Sequence, residues 1–192
     1  MLSLLIDQWI SLFVKNNVAD FIFYVKKIES WSDFITNKLS AIFLIISSIG
    51  LLISSLYFKN LKWASFFISW IIVIVCAAII TSYLKIYFGR MRPEYIFENG
   101  LTGAHYWFKS GDGFPSGHAS YYFSLFFPPC YYFDKAKPVI IIPVMIAVGR
   151  VIQKAHFLSD IVMSVLIVVT LTVAADLIIR MAARHIKLKA FY

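Results

Sequence analysis

The sequence predicts an all-α protein, a polytopic membrane helical bundle of five to six spans with an N-terminal interfacial amphipathic helix. Three observations predict it. Of the 192 residues, 60% are hydrophobic and 18% aromatic, where a soluble domain is near half apolar. Mean hydropathy is +0.78. The apolar residues fall into runs of about the 20 residues that cross a hydrocarbon core as a helix. Finally, the net charge is +8 although only 15% of residues are charged. The basic residues flank the apolar runs instead of gathering in one patch. That pattern excludes a nucleic-acid surface and suits anionic headgroups or anionic lipid substrates.

The elements follow in chain order. Leu2 to Ile28 is interrupted by Asp7, Lys15, Asn16, Asn17 and Asp20. It reads better as one or two interfacial amphipathic helices than as a sixth span. An early Asp7 and no basic segment before the apolar stretch argue against a cleavable signal peptide. Leu39 to Phe58 is the first span and Trp63 to Leu84 the second, with Trp63 and Tyr83 as interface anchors. His118 to Phe133 holds Pro128-Pro129 and predicts a kinked helix. Val139 to about Gln153 is apolar until Arg150, and Ile161 to Ile179 is the last span. No internal repeat is visible. The expectation is one membrane domain over 1–192: an N-terminal segment 1–38, a bundle 39–179 with its active site at 85–160, and a basic tail 180–192. Cys76 and Cys130 lie inside apolar runs, so no disulfide is expected.

Five crossings put the connections on alternate sides. Lys59, Lys62, Lys135, Lys137, Arg180, Arg184, Lys187 and Lys189 share one side, with Asp134 and Asp176 as its acids. The positive-inside rule places that side and the tail in the cytoplasm and the 85–116 loop outside.

Three segments carry chemistry. In "KIYFGRMRP", Lys85 and Arg92 are seven residues apart, two turns if the helix runs on, and Pro93 should end it there. In "FPSGH", Ser116 reads as a helix N-cap with Gly117 and His118 in the first turn. Free N–H groups there form an anion site, and Gly117 allows close approach of an oxygen. In "VGRVIQKAHFLSD", Arg150 precedes His156, and Asp160 lies four residues further on. Asp160 reaches His156 along a continuous helix, or back from the start of the last span. Either route lets a carboxylate hold one imidazole nitrogen and leave the other free. Each segment alone has an ordinary reading: a snorkelling basic rim, a loop-to-helix entry, an interfacial hydrogen bond. Together they put Lys85, Arg92 and Arg150 at span ends on one face with two histidines. Three packed cations repel unless a polyanion joins them, and phosphate matches Arg geometry. One imidazole can attack phosphorus and the other protonate the leaving oxygen. No carboxylate cluster points to a metal, so neither metal nor cofactor is expected.

Lys85-x6-Arg92-Pro93, Pro115-Ser116-Gly117-His118 and Arg150-x5-His156-x3-Asp160, in that order, resemble the three signature motifs of the type 2 phosphatidic acid phosphatase superfamily. The resemblance implies His156 as nucleophile, Asp160 as its orienting group, and His118 as general acid and then base. It also implies a phosphate clamp of Lys85, Arg92, Arg150, Ser116 and the Gly117 amide. Gly149 departs from the family's usual Ser before the third-motif Arg, which removes a hydroxyl but no charge. Arg90 is an extra cation, read either as a simple rim charge or as a contact to a second phosphate, a sugar or a headgroup. His105, among Tyr106, Trp107 and Phe108, and His185 in the tail lie outside the scheme.

The expected function is an integral membrane phosphatase acting on a lipid phosphate or pyrophosphate in the bacterial inner membrane, with its site facing the periplasm. Lipid A phosphate, undecaprenyl pyrophosphate and phosphatidylglycerophosphate fit on resemblance. A phosphotransferase would use the same phosphohistidine. A non-catalytic anionic-lipid transporter would instead want a site near the midplane and repeats.

Overall fold

A computed structural model of the chain describes residues 2–18, 25, 42–43, 45–53, 61–101 and 106–189. Among the described residues every regular element is helical and no strand occurs. The helices are α1 (Leu2–Asn17), α2 (residues 45–53), α3 (Leu61–Phe88), α4 (Pro93–Glu98), α5 (Gly117–Tyr132), α6 (Ile141–Ile152) and α7 (Leu158–Lys189). A 3-10 helix, Asp134–Ile140, joins α5 to α6.

Only α3 and α7 are long and apolar enough to cross a membrane among the described residues. The first expected span, 39–58, lies partly outside the described residues; 42–43 and 45–53 are helical. The third and fourth expected spans become α5, 16 residues, and α6, 12 residues. At 1.5 Å per residue these are roughly 24 and 18 Å long, short of a hydrocarbon core of about 30 Å.

Pro128 and Pro129 lie inside α5, and the helix runs through both to Tyr132. Pro129 has no N–H to offer the Leu125 carbonyl four residues back. The buried Trp70 Nε1 of α3 donates to that carbonyl at 3.1 Å, so a neighbouring helix satisfies the freed acceptor.

Helices α3, α5 and α7 pack against one another, and α6 lies on α5. Their shared core joins Val73 and Ala77, Ala119 and Phe123, Ala147, and Ile161 and Val168. The three alanines, with side chains of a single methyl, let these helices approach closely. Thr81 Oγ1 donates to Ser120 Oγ at 2.8 Å across the α3–α5 contact. A second, aromatic cluster of Phe66, Trp70 and Tyr132 fills the other end of α3. The outer faces are apolar too: Ile79, Ile86, Met145, Val162, Leu166 and Ile178 are exposed.

Helix α1 has the same inversion. It buries Asp7, Ser11 and Val14, at helical spacing, and exposes Leu5, Ile6, Trp9, Leu12 and Phe13. It lies against α6 and α7.

Candidate active site

The direction of each helix gathers the motifs. The C-terminal ends of α3 and α6 and the N-terminal ends of α5 and α7 meet at one end of the bundle. Lys85, Arg150, Gly117-His118 and Asp160 ride on those four ends.

Helix α3 stops at Phe88, short of the expected boundary before Pro93. Gly89, at φ +47°, donates its N–H to the Lys85 carbonyl at 3.0 Å and turns the chain. A Cβ there would also come within 3.0 Å of the Ser110 amide. Lys85 and Arg92 therefore do not share a continuous helix face. Arg92, extended, instead precedes Pro93 at the first position of α4. Asp112 reunites the two cations. Arg92 Nε and its NH2 group donate to the two Asp112 carboxylate oxygens at 2.8 and 2.6 Å. Lys85 Nζ donates to the Asp112 backbone carbonyl. Burial raises the Asp112 carboxyl, but the Arg92 hydrogen bonds and the charges around it outweigh that and hold it below its ordinary value.

Ser116 caps α5 as expected, its Oγ accepting from the Ala119 amide at 3.4 Å. The Lys85 side chain runs past Gly117, where an added Cβ would lie 3.5 Å from Lys85 Cε. Ser116 is tied to the third motif: its amide donates to the Asp160 carbonyl at 3.2 Å, and Ser164 Oγ donates to the Ser116 carbonyl at 2.8 Å. His118, half-buried, stands in the first turn of α5.

Arg150 is buried in the last turn of α6, and the amides of Ala155 and His156 both donate to its carbonyl, at 3.1 and 3.3 Å. This turn carries His156 back toward α7. His156 is 2% exposed, and its Nδ1 lies 2.7 Å from the Gly113 carbonyl. A carbonyl only accepts, so Nδ1 carries the proton and Nε2 keeps its lone pair. Asp160 does not hold the imidazole nitrogen, contrary to the sequence expectation. Its Oδ2 is 3.7 Å from Nδ1, beyond hydrogen-bond distance, because α7 begins at Leu158 and that oxygen accepts from the Phe157 amide at 2.7 Å. Asp160 acts on His156 through its field. Burial pushes the imidazole below its ordinary value of 6.5 by more than Asp160 raises it, and Lys85 and Arg150 lower it further. Burial thus favours the neutral form of the ring.

Arg90 is where the sequence reading fails. The side chain is fully buried, not turned toward a second phosphate or headgroup. Its NH1 group donates to Asp160 Oδ1 at 2.5 Å and to Ser159 Oγ at 2.7 Å, and its NH2 group to Asp7 Oδ2 at 2.9 Å. Trp107 and Phe157 sandwich the guanidinium at 4.4 and 4.2 Å. A cation this far from water needs carboxylates on hand, and two supply them. His105 lies outside the described residues, as does the side chain of His185.

Among the described residues no group of three or more His, Cys, Asp or Glu could hold a metal ion. The cluster pairs a neutral buried imidazole with three cations and a helix N-terminus. The sequence model of the PAP2 superfamily matches residues 66–184, more than half of the chain and all three motifs. This chain belongs to the PAP2 superfamily. Membership in that superfamily points to phosphatase activity on phosphate esters. No curated protein and no solved structure matches the chain.

Proposed function

We propose that this PAP2 protein is an integral membrane phosphatase that releases phosphate from a lipid phosphate or lipid pyrophosphate through a phosphohistidine on His156. The observation that carries the reading is the Nδ1–H to Gly113 carbonyl bond, which leaves Nε2 as an unprotonated nucleophile in a nest of cations.

Lys85, Arg92 and Arg150, with Ser116 and the Gly117 amide, bind the phosphoryl oxygens and offset the charge that builds on them. His156 Nε2 forms a bond to phosphorus as the bond to the leaving oxygen breaks. His118 gives its proton to that oxygen. It then takes a proton from the water that attacks the phosphohistidine, and phosphate leaves with the His156 lone pair restored. Asp160 stabilises the positive imidazole of the intermediate.

A cleft supports a lipid substrate. It has a volume of about 470 Å³ and runs between α3 and α5 from Lys85 and Gly117 down past Thr81 and Ala78 to Ile74. From Ile74 to Lys85 the helix rises by roughly 16 Å, room for an alkyl chain below a phosphate. The apolar outer faces of α3, α6 and α7 and the exposed apolar face of α1 support burial in a bilayer. On this reading α1 lies at the interface, the whole chain is one membrane domain, the site faces the periplasm of a bacterial inner membrane, and the basic tail is cytoplasmic.

The test is phosphate release by purified protein from a panel of lipid phosphates and pyrophosphates, beside water-soluble phosphate esters. His156→Ala and His118→Ala should each abolish release while the protein still elutes as a folded species. Near-normal turnover in both defeats the mechanism. Equal turnover of soluble and lipid esters defeats the lipid assignment. Product that appears on an added acceptor alcohol instead of as free phosphate marks a transferase.

A further inference from the structure

Asp7 belongs to no motif, yet it is among the most connected side chains near the site. It is 3% exposed, on a helix whose other face is apolar. Its Oδ2 accepts from the Arg90 NH2 group at 2.9 Å and from Ser159 Oγ at 2.5 Å, and its Oδ1 accepts from the Ser159 amide at 3.0 Å. Arg90 passes the connection on to Asp160, the carboxylate 3.7 Å from His156 Nδ1.

A carboxylate buried this deeply is costly unless it is needed where it stands. What Asp7 adds is charge. Arg90 by itself would cancel Asp160; with Asp7 present, two carboxylates share one guanidinium and one net negative charge is left beside the imidazole. We propose that Asp7 is a positioning residue of the active site, which holds Arg90 so that Asp160 keeps its negative field on His156. The inference rests on His156 being the nucleophile, since that field matters most when the imidazole carries positive charge in the phosphohistidine. The other charged groups facing His156 are Lys85 from α3, Arg150 from α6 and Asp112 from the preceding loop. Two of these three, Lys85 and Arg150, oppose its protonation, and Asp160 on the α7 side opposes them.

The experiment compares Asp7→Asn, Asp7→Asn/Arg90→Gln and Gln8→Ala with wild type. Asp7→Asn keeps the shape and removes the charge. Its kcat should fall about tenfold or more, as when a carboxylate behind a working imidazole is lost, with KM nearly constant. The acid limb of its kcat/KM profile should move to lower pH. The double variant removes the guanidinium charge as well, restores the net charge beside His156 and should return the acid limb to the wild-type position. Gln8→Ala loosens the same helix, because Gln8 Nε2 donates to Tyr106 Oη at 2.6 Å, but changes no charge. It should leave kcat within about twofold of wild type. An unchanged kcat in Asp7→Asn overturns the inference. So does an equal loss in Gln8→Ala, or a fall in kcat with the acid limb unmoved. If Asp7→Asn does not fold, the double variant decides, and an acid limb displaced from wild type overturns the inference. The His156 resonance, titrated in histidine-labelled protein, reads the same field without turnover. A shift there in Asp7→Asn, with no phosphate release from the wild type, would sink the proposed function and leave the field intact.

Discussion

Asp112 makes the most direct prediction, because the clamp residue Arg92 already holds a carboxylate. The pair is bidentate at 2.8 and 2.6 Å, with 38% of the Arg92 side chain and 61% of that of Asp112 exposed. A phosphoryl group that binds Arg92 must displace or share this carboxylate. Exposed ion pairs contribute about 0–1 kcal/mol, and a bidentate pair sits near the top of that range. About 1 kcal/mol corresponds to roughly fivefold in a binding constant. In Asp112→Asn the KM for a lipid phosphate and the inhibition constant for vanadate should both fall by about two- to fivefold, with kcat unchanged. The assay is phosphate release in detergent micelles at constant surface concentration, repeated at low and high salt. The advantage should shrink at high salt, because the competing pair is screened. A higher KM, or a drop in kcat, would refute the reasoning. Asp112 would then be aiming Arg92 at the phosphate, not competing for it.

Three further outcomes are expected. Gly111→Ala should lose activity and about 1–3 kcal/mol of stability by thermal unfolding, because its Cβ would lie 2.3 Å from the Arg90 carbonyl oxygen and displace the loop that carries Asp112. Unaltered melting and turnover would show the loop can yield. Trp70→Phe keeps an aromatic ring but leaves the Leu125 carbonyl unpaired, which should cost about 1–3 kcal/mol with little change in kcat; stability equal to wild type would mean another donor replaces the indole. The third concerns pH. His156 titrates below 6.5 in the folded chain, so its neutral, nucleophilic form persists below that pH, and the acid limb of kcat/KM should lie below 6.5. Between 6.5 and the lower folded value the unfolded chain binds more protons. Stability should therefore fall as pH drops through that window, and His156→Asn should flatten the slope. An acid limb above 6.5 would contradict the buried, neutral ring.

Much of the site was legible because its residues are rare in context. Lys85, Arg92, Ser116-Gly117-His118, Arg150, His156 and Asp160 stand out from an apolar chain, and their placement at helix ends follows from span lengths. Asp7 gave the same signal, an ionisable residue inside an apolar run, and pointed to function by the same rule. In sequence the same acid fits a surface-lying α1 equally well. A cation beside a motif, such as Arg90, looks the same in sequence whether it faces phosphate or protein. The Gly113 carbonyl left no signal at all, since any residue supplies a backbone acceptor.

The sequence by itself determined the helical class, the long apolar α3 and α7, the cap at Ser116 and the residues of the three motifs. These depend on hydropathy and on contacts between near neighbours in the chain. Packing alone decided that Trp70 serves the carbonyl freed by Pro129, that Gly113 fixes the His156 tautomer, and that Asp7 reaches Arg90 across 83 positions. A buried charge or open carbonyl takes whichever partner the folded helices bring within about 3 Å, and chain separation says nothing about which one that is.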